Sequence, residues 1–194
     1  MSGNNGTDLR NLPSQKDAIA KALALYDKRP FAVSDIGSQS AWLKAASHDA
    51  RNLYVSGPMG LASSVALGLA ASRPNDEVLA LCGDGALAMN LSSLVSIQGA
   101  KQKNLAVLVL DNGVYEYTAS VPAPTRDLDW LALGRSIFGA RSCFNLSDLT
   151  AEKWKSIPGP RMVVADIAGS TEKTPALGMS PTQIRAAFLD ASKA

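Results

Sequence analysis

Residues 77–118 read EVLALCGDGALAMNLSSLVSIQGAKQKNLAVLVLDNGVYEYT, and this stretch decides the fold. It holds two short apolar runs, Glu77–Cys82 and Leu105–Leu110, separated by a segment of helical character. The first run breaks into Gly83-Asp84-Gly85, and the second ends in Asp111-Asn112-Gly113. Apolar runs that are bounded by glycine and joined by a helix predict a strand–helix–strand unit with parallel strands.

Polar residues stand at the end of each of these predicted strands. The first strand leads to the carboxylate of Asp84, and the second leads to the carboxamide of Asn112, 28 residues further along. In open α/β sheets ligands bind at the carboxyl ends of the strands, so we expect the two side chains at one site. Carboxylate and carboxamide oxygens are hard donors that suit a magnesium ion, which in turn can hold a diphosphate. The pattern therefore predicts a metal-assisted diphosphate site.

The composition is ordinary for a globular protein and argues against several classes of function. Of the 194 residues, 46% are apolar and 19% are charged, and the formal net charge is +2. That charge is too small to favour nucleic acid or an acidic membrane, and no basic run carries interleaved aromatic residues. Cys82 and Cys143 have neither metal-ligand spacing nor a disulfide pattern, and we expect Cys82 in the core. Without a signal peptide or a membrane-spanning apolar run, a cytoplasmic location is expected.

Strand and helix patterns alternate along the rest of the chain. Further strands are predicted at Phe31–Ser34, Leu53–Val55, Arg141–Phe144 and Met162–Ala165, and Val121–Arg126 is expected to form a proline-containing loop. Further helices are predicted after Ser14, after the turn Asp35–Ser38, over residues 61–73, at Asp127–Phe138, at Thr150–Ile157 and after Ser180-Pro181. This alternation predicts an α/β fold with a single open, mostly parallel sheet and helices on both faces. Residues 1–13 are expected to form a mobile tail, and residues 14–194 a single domain.

The run Gly83–Ala88 also fits the relaxed dinucleotide fingerprint G-x-G-x-x-A, so a nicotinamide cofactor is a competing interpretation. Two features count against it. An aspartate between the glycines would repel a pyrophosphate unless a cation lies between them. In addition, Asp111 at the end of the next strand lies several residues beyond the interval of about 20 that a ribose contact requires. A diphosphate bridged by a metal ion removes both objections.

The spacing GDG…DN resembles the thiamine diphosphate motif of the 2-oxo-acid decarboxylase superfamily, in its diphosphate-binding domain. Several stretches are similar to one branch, which contains the sulfopyruvate decarboxylase β subunits and the equivalent half of the phosphonopyruvate decarboxylases. They are SGPMGLASSVALGLA (56–70), GDGALAMNLSSLVSI (83–97), LDNGVYEYT (110–118) and SPTQIRAAFLDA (180–191). The resemblance covers nearly all of the chain after about Pro13, and it implies thiamine diphosphate and Mg²⁺ as cofactors.

The resemblance also implies roles for individual residues. Asp84 and Asn112 would bind magnesium through their side-chain oxygens, and Val114 would do so through its main-chain carbonyl. The backbone near Gly85 and Ala86 would donate to the diphosphate, and Met59 would support the cofactor in a bent conformation. The other candidates for cofactor contact are Gly37, Ser38, Gly57, Gly60, Gly83 and Tyr115.

The resemblance implies decarboxylation of a small anionic 2-oxo acid, with 3-sulfopyruvate or 3-phosphonopyruvate as substrate. Glu116 and Tyr115 are candidates for catalysis near the reacting carbon, although Glu116 also suits an exposed helix start. Arg126 and Lys173 are candidate contacts for the anionic tail, and the alternative for both is a solvated surface charge. His48 has no obvious partner for acid–base chemistry.

After the DN motif, the branch typically continues with a Thr-Gly-x-Gln-like segment, whereas this chain has Thr118-Ala119-Ser120-Val121. Substrate identity and product fate therefore stay open.

Members of this superfamily need a glutamate from a pyrimidine-binding domain to activate the cofactor. No segment before Asp35 could supply that domain, so we expect an α subunit as an obligate partner, in an α2β2 or larger hetero-oligomer. Three hypotheses remain: a decarboxylase β subunit, a subunit of a carboligase of the acetolactate synthase type, and a non-catalytic subunit that stabilises its partner.

Overall fold

The strands form one large parallel sheet and one small hairpin. The computed structural model describes residues 12–169 and 173–193. The strands in these ranges are β1 (Phe31–Ser34), β2 (Asn52–Tyr54), β3 (Val78–Gly83), β4 (Leu105–Asp111), β5 (Val114–Tyr115), β6 (Val121–Pro122), β7 (Cys143–Asn145) and β8 (Arg161–Asp166). Six of them pair in the order β2-β1-β3-β4-β8-β7, with every neighbouring pair parallel, while β5 and β6 pair antiparallel. The α/β class with a parallel sheet is confirmed.

The helices cover both faces of the sheet. They are α1 (Gln15–Leu23), α2 (Ser38–Ala46), α3 (Ala62–Ser72), α4 (Asp84–Ala88), α5 (Ser92–Ala100), α6 (Trp130–Phe138), α7 (Ala151–Ser156) and α8 (Pro181–Ala191). One hydrophobic cluster joins the sheet to α1, α2 and α7, and a second joins the opposite face to α3, α4, α5 and α6. Helix α8 contributes Ile184 to the first cluster and Phe188 to the second. No helix within the described ranges is long and apolar enough to cross a membrane.

The central strands are buried on both sides, which explains their continuous apolar sequence. In β3, Leu79 and Leu81 face the first cluster, whereas Val78, Ala80 and Cys82 face the second. Since successive strand side chains point to opposite faces, a strand between two helical layers has no position for an exposed polar residue. Cys82 is fully buried, as expected for a core residue.

Local capping chemistry sets several helix boundaries. Ser14 accepts a hydrogen bond from the backbone N–H of Asp17 at 3.1 Å, and Ser180 forms a full capping box with Gln183, so both predicted helix starts are confirmed. Helix α6 begins at Trp130 rather than at Asp127, because the side chain of Asp129 accepts from Ala132 and acts as the N-cap.

Two further expectations need adjustment. The single helix expected after Gly85 is broken into α4 and α5 by a turn at residues 89–91. Val121 and Pro122, expected in a loop, pair with β5 as strand β6. The predicted mobile tail falls largely on residues 1–11, which lie outside the described ranges.

The strand order reverses direction at β1. The chain leaves β1 to form β2 on one side, and it then returns across the sheet to form β3 on the other side. The connections after β1 and β3 therefore run to opposite faces, which opens a crevice above the carboxyl ends of these strands. Crevices at such a switch point are the usual ligand sites of open α/β sheets.

The buried centre of the sheet predicts a large effect of truncation there. Leu108 lies in β4 between β3 and β8 and is fully buried, so Leu108→Ala should lower the free energy of unfolding by about 2–5 kcal/mol, measured by urea denaturation. Leu189→Ala, at a side chain that is 39% exposed, is the control and should cost no more than about 0.5 kcal/mol. Equal losses for the two variants would contradict this account of the core.

Candidate functional site

A cavity of about 750 Å³ occupies the crevice at the switch point. It is lined by the segments that follow β1, β2, β3 and β4, and by residues 173–177 near the C-terminus. Eleven of the twelve predicted cofactor-contact residues line it, namely Gly37, Ser38, Gly57, Met59, Gly83, Asp84, Gly85, Ala86, Asn112, Val114 and Tyr115. The fold thus brings residues separated by up to 78 positions in sequence to one cavity.

Gly60 is the predicted residue that is absent from this lining. It lies behind the cavity wall, where its backbone adopts φ +82° and a Cβ would lie 2.7 Å from the carbonyl oxygen of Ala86. A side chain at this position would be strained and would also push against the turn after β3. Gly60 therefore allows close packing between the Met59 loop and α4.

Asp84 stands where β3 ends and α4 begins. Its side chain is 2% exposed, and its Oδ2 accepts a hydrogen bond from the Thr125 hydroxyl at 2.8 Å. Burial raises the pKa of the Asp84 carboxyl, while the hydrogen bond from Thr125 opposes that rise. Thr125 was not singled out from the sequence, since it lies 41 residues away in an irregular segment.

A second carboxyl group lies beside Asp84. Burial and, after it, the negative charge of Asp84 raise the pKa of Asp111 to about 7. Two carboxyl groups in a poorly hydrated position repel each other when both are ionised. A divalent cation at Asp84 would reduce this repulsion, so the electrostatics of the cavity end suit a metal ion.

Asn112 adopts a turn that orients its carboxamide. Its Oδ1 accepts from the backbone N–H of Val114 at 3.0 Å, and its Nδ2 donates to Oε1 of Glu116 at 3.0 Å. A carboxamide oxygen has two lone pairs, so Oδ1 keeps one for a further partner. The same turn places the main chain of Val114 along the cavity. One carboxylate, one carboxamide and one carbonyl group therefore belong to the lining of the same cavity.

Two glycines of the turn after β3 have no room for side chains. A Cβ on Gly83 would collide with the carboxamide of Gln39, and a Cβ on Gly85 would collide with the ring of Tyr115. The side chains of Gln39 and Tyr115 therefore lie directly against this turn, and they would have to move for a ligand to reach its backbone N–H groups. Gln39 is a lining residue that the sequence interpretation did not include.

Asp35 ties two of the cavity loops together. It is fully buried, and its Oδ1 accepts from the backbone N–H groups of Gly60, Leu61 and Ala62 at 3.0, 3.1 and 3.2 Å. Burial raises the pKa of this carboxyl, and the three backbone hydrogen bonds oppose the rise. The bonds anchor the start of α3, and with it the Met59 loop, to the turn after β1. From the sequence this residue is simply part of a turn, because the N–H groups that donate to it lie 25 to 27 positions away.

The other candidate residues separate into two groups. Lys173 and Glu116 line the cavity, and Oε2 of Glu116 is buried without a hydrogen-bond partner among the described residues. Glu116 begins a short 3-10 helix over Glu116–Thr118, so the expected helix start is present, but its side chain is partly buried rather than exposed. Arg126 lies against Gly113 outside the lining, and His48 stacks on Tyr54 away from the cavity.

Comparisons with known proteins agree with this geometry. The family model described as thiamine pyrophosphate enzyme, C-terminal TPP binding domain, matches residues 35–129. The chain is 30% identical over 178 residues to the sulfopyruvate decarboxylase subunit beta of Methanococcus maripaludis. The aligned region covers 90% of this chain and 96% of that protein. It is 31% identical over 140 residues to the phosphonopyruvate decarboxylase of Streptomyces viridochromogenes, which covers 71% of this chain and 35% of that protein.

A solved structure from Mycobacterium smegmatis, described as a thiamin diphosphate-dependent enzyme, superimposes with a TM-score of 0.64 at 19% identity. The match covers 82% of this chain and 32% of that one, so this chain spans about a third of that enzyme's length. At this identity the match supports the fold alone.

The parallel sheet, its switch-point cavity and the matching family model define the class, which is the cofactor-binding domain of the thiamine pyrophosphate enzymes. Within that class, the chain belongs to the family of sulfopyruvate decarboxylase β subunits. The resemblance seen in residues 56–118 and 180–191 is confirmed at the level of the family.

The anchoring role of Asp35 is testable on the purified chain. Asp35→Ala should lower the free energy of unfolding by about 2–4 kcal/mol, because three backbone N–H groups lose a charged acceptor. It should also increase hydrogen exchange at residues 56–62, measured by mass spectrometry. Asp129→Ala removes an N-cap with one N–H partner and should cost about 1 kcal/mol without changing that segment. Unchanged exchange at residues 56–62 in Asp35→Ala would contradict the anchoring role.

Proposed function

We propose that this chain is the cofactor-binding β subunit of a two-subunit, thiamine diphosphate- and Mg²⁺-dependent 2-oxo-acid decarboxylase. The proposed reaction converts 3-sulfopyruvate to sulfoacetaldehyde and carbon dioxide. The observation that carries the proposal is the convergence of Asp84, Asn112 and Val114 on a cavity whose floor is a glycine turn. Similarity to a sulfopyruvate decarboxylase β subunit over 96% of that relative's length supports the choice of substrate.

The residues present fit a magnesium diphosphate. Asp84, Asn112 and Val114 would supply three oxygen ligands to the metal ion, which prefers such hard donors. The backbone N–H groups near Gly85 and Ala86 would donate to the diphosphate, because glycine has no side chain of its own to shield them once the ring of Tyr115 moves off Gly85. Gly37 and Ser38 would contact the phosphate from the opposite side of the crevice, and Met59 would support the organic part of the cofactor.

When bound, thiamine diphosphate supplies an electron sink that accepts the charge left as carbon dioxide departs from the 2-oxo acid. The protein then has to deliver a proton to the remaining carbon. Glu116 is the candidate for this step, because one of its oxygens is held by Asn112 and the other is buried without a partner in the described part of the chain. Tyr115 lies against Gly85 and would help to exclude water from the same region.

Removal of the central metal ligand tests this function. In the complex with its partner subunit, Asp84→Ala should reduce carbon dioxide release from sulfopyruvate by at least about 100-fold and should weaken Mg²⁺-dependent binding of thiamine diphosphate to a similar degree. Asp76→Ala replaces a half-exposed carboxylate far from the cavity and serves as the matched control. Activity within twofold of wild type in Asp84→Ala would favour a non-catalytic subunit. An acetolactate-type condensation product in place of the aldehyde would favour a carboligase.

The partner would be an α subunit that supplies the glutamate for cofactor activation, in an α2β2 or larger assembly. The relatives are named as β subunits, and this chain has a surface suited to a partner. Helices α3 and α5 contain no charged residue, and they expose Val65 and Val95, while the residues that precede them, Leu61 and Leu91, are exposed as well. The two helices contact each other through a hydrogen bond between Ser63 and Ser93 at 2.7 Å, so their outer faces are adjacent.

A glycine on the same surface strengthens this assignment. Gly68 lies inside α3, where glycine costs about 1 kcal/mol relative to alanine, and a Cβ there would meet nothing within 4 Å. Packing within this chain therefore does not require a glycine at this position, whereas close approach of another helix does. The side-chain amide of Asn90, between α4 and α5, donates a hydrogen bond to the carbonyl of Gly60. The surface therefore continues to the Met59 loop beside the cavity. A subunit docked here would reach the cofactor.

Gly68→Leu should leave the isolated chain folded and at least as stable as wild type, because the added side chain enters open space and leucine favours helix. It should abolish co-elution with the α subunit in size-exclusion chromatography and, with it, decarboxylase activity. Ser136→Leu, at an exposed position of α6, is the matched control and should assemble normally. Normal assembly of Gly68→Leu would exclude this surface. Self-association of the isolated wild-type chain that Gly68→Leu abolishes would assign the surface to a second copy.

A further inference from the structure

Residues 173–177 form a strap that borders the cavity near the C-terminus. Its end is fixed by specific contacts. The ammonium group of Lys44 in α2 donates to the carbonyl of Leu177 at 2.5 Å, and Leu177 and Met179 pack against the first hydrophobic cluster. Gly178 follows in a left-handed conformation with φ +63°, which turns the chain towards α8. The strap is therefore held against the body of the domain.

Lys173 stands at the start of this strap and lines the cavity. The other charged groups among the described lining residues are the carboxylates of Asp84 and Glu116, so Lys173 is the one cation in that set. Two other cations, Lys44 and Arg126, are absent from the described lining. Lys44 donates to Leu177 instead. Among the described lining residues, positive charge is therefore found only where the strap borders the cavity.

A substrate with an anionic tail needs this charge. Sulfopyruvate carries a carboxylate and a sulfonate, and carboxylates at Asp84 and Glu116 would repel a sulfonate placed near them. A sulfonate has three acceptor oxygens and is best bound by a cation together with neutral donors. Thr118 and Thr174 also line the cavity and bear hydroxyl groups. Thr118 is the first residue of the segment in which this chain differs from the Thr-Gly-x-Gln pattern of the sulfopyruvate and phosphonopyruvate decarboxylase branch.

We propose that Lys173 determines substrate specificity by binding the anionic tail of the 2-oxo acid, with Thr118 and Thr174 as neutral donors. This inference rests on the proposed decarboxylase function and adds a residue-level explanation of its substrate class. A phosphonate tail has the same tetrahedral shape and the same sign of charge. The site would therefore accept both 3-sulfo and 3-phosphono 2-oxo acids. It would discriminate against pyruvate, which has no tail to occupy it.

The test compares substrates with and without the tail, using the assembled enzyme. Lys173→Met should lower kcat/KM for sulfopyruvate about 10- to 100-fold, mainly through KM, because a charge-assisted contact is lost. It should change kcat/KM for pyruvate by less than about threefold. Lys173→Arg should retain most of the activity with sulfopyruvate. Arg185→Met, at an exposed position of α8 outside the cavity lining, is the control for general loss of positive charge and should change the kinetics with neither substrate. Equal losses on both substrates, or no loss with sulfopyruvate, would overturn the proposal.

A binding measurement separates this inference from the proposed function. 3-Sulfopropionate carries the tail but has no 2-oxo group, and its affinity for the assembled enzyme can be measured by calorimetry. Lys173→Met should weaken that affinity about 10- to 100-fold. If the wild type releases no carbon dioxide from sulfopyruvate but shows this Lys173-dependent binding, the proposed reaction fails and the anion site stands. If 3-sulfopropionate binds wild type and Lys173→Met equally, the anion site fails whatever the activity.

Discussion

The reversal of strand order at β1 is the constraint on which the rest of the structure depends. A parallel sheet requires crossover connections, and crossovers to opposite faces separate the loops after β1 and β3. The resulting crevice is kept in shape by one buried carboxylate, since Oδ1 of Asp35 holds three successive backbone N–H groups at the start of α3. Through that anchor, the turn after β1 and the Met59 loop form one rigid wall.

At the opposite wall of the crevice, the electrostatics depend on two neighbouring carboxyl groups. Asp84 and Asp111 lie beside each other, and burial, followed by the negative charge of Asp84, raises the pKa of Asp111 to about 7. Such an arrangement is costly for the protein alone, and a divalent cation relieves it. The glycine turn at Gly83 and Gly85 lines the same cavity, and the side chains that lie against it, Gln39 and Tyr115, belong to the lining as well. Carboxyl groups for a metal ion and backbone N–H groups for a diphosphate therefore occur together, which supports a magnesium diphosphate at this end of the cavity.

Much of this could be predicted from the sequence, because the decisive signals are local. β3 ends in Gly83 and Asp84 follows it directly, while β4 ends in Asp111 and leads straight into Asn112 and Gly113. The features that were missed depend on contacts between distant segments. The break between α4 and α5 contains no glycine or proline, and the carboxamide of Asn90 donates instead to Gly60 and Ser64 across 30 and 26 residues. Lys173 is a candidate from the sequence, but the contact that holds its segment beside the cavity is not, because Lys44 and Leu177 lie 133 residues apart.

The central claim is that Asp84, Asn112 and Val114 together hold the metal ion of the cofactor. The most direct measurement is a crystal structure of the assembled enzyme with thiamine diphosphate and Mg²⁺. The account predicts one magnesium ion with an oxygen from each of these three residues at about 2.1 Å, and the diphosphate against the turn at Gly85. A metal ion bound without Asp84 or Asn112, or a cofactor outside this cavity, would contradict it.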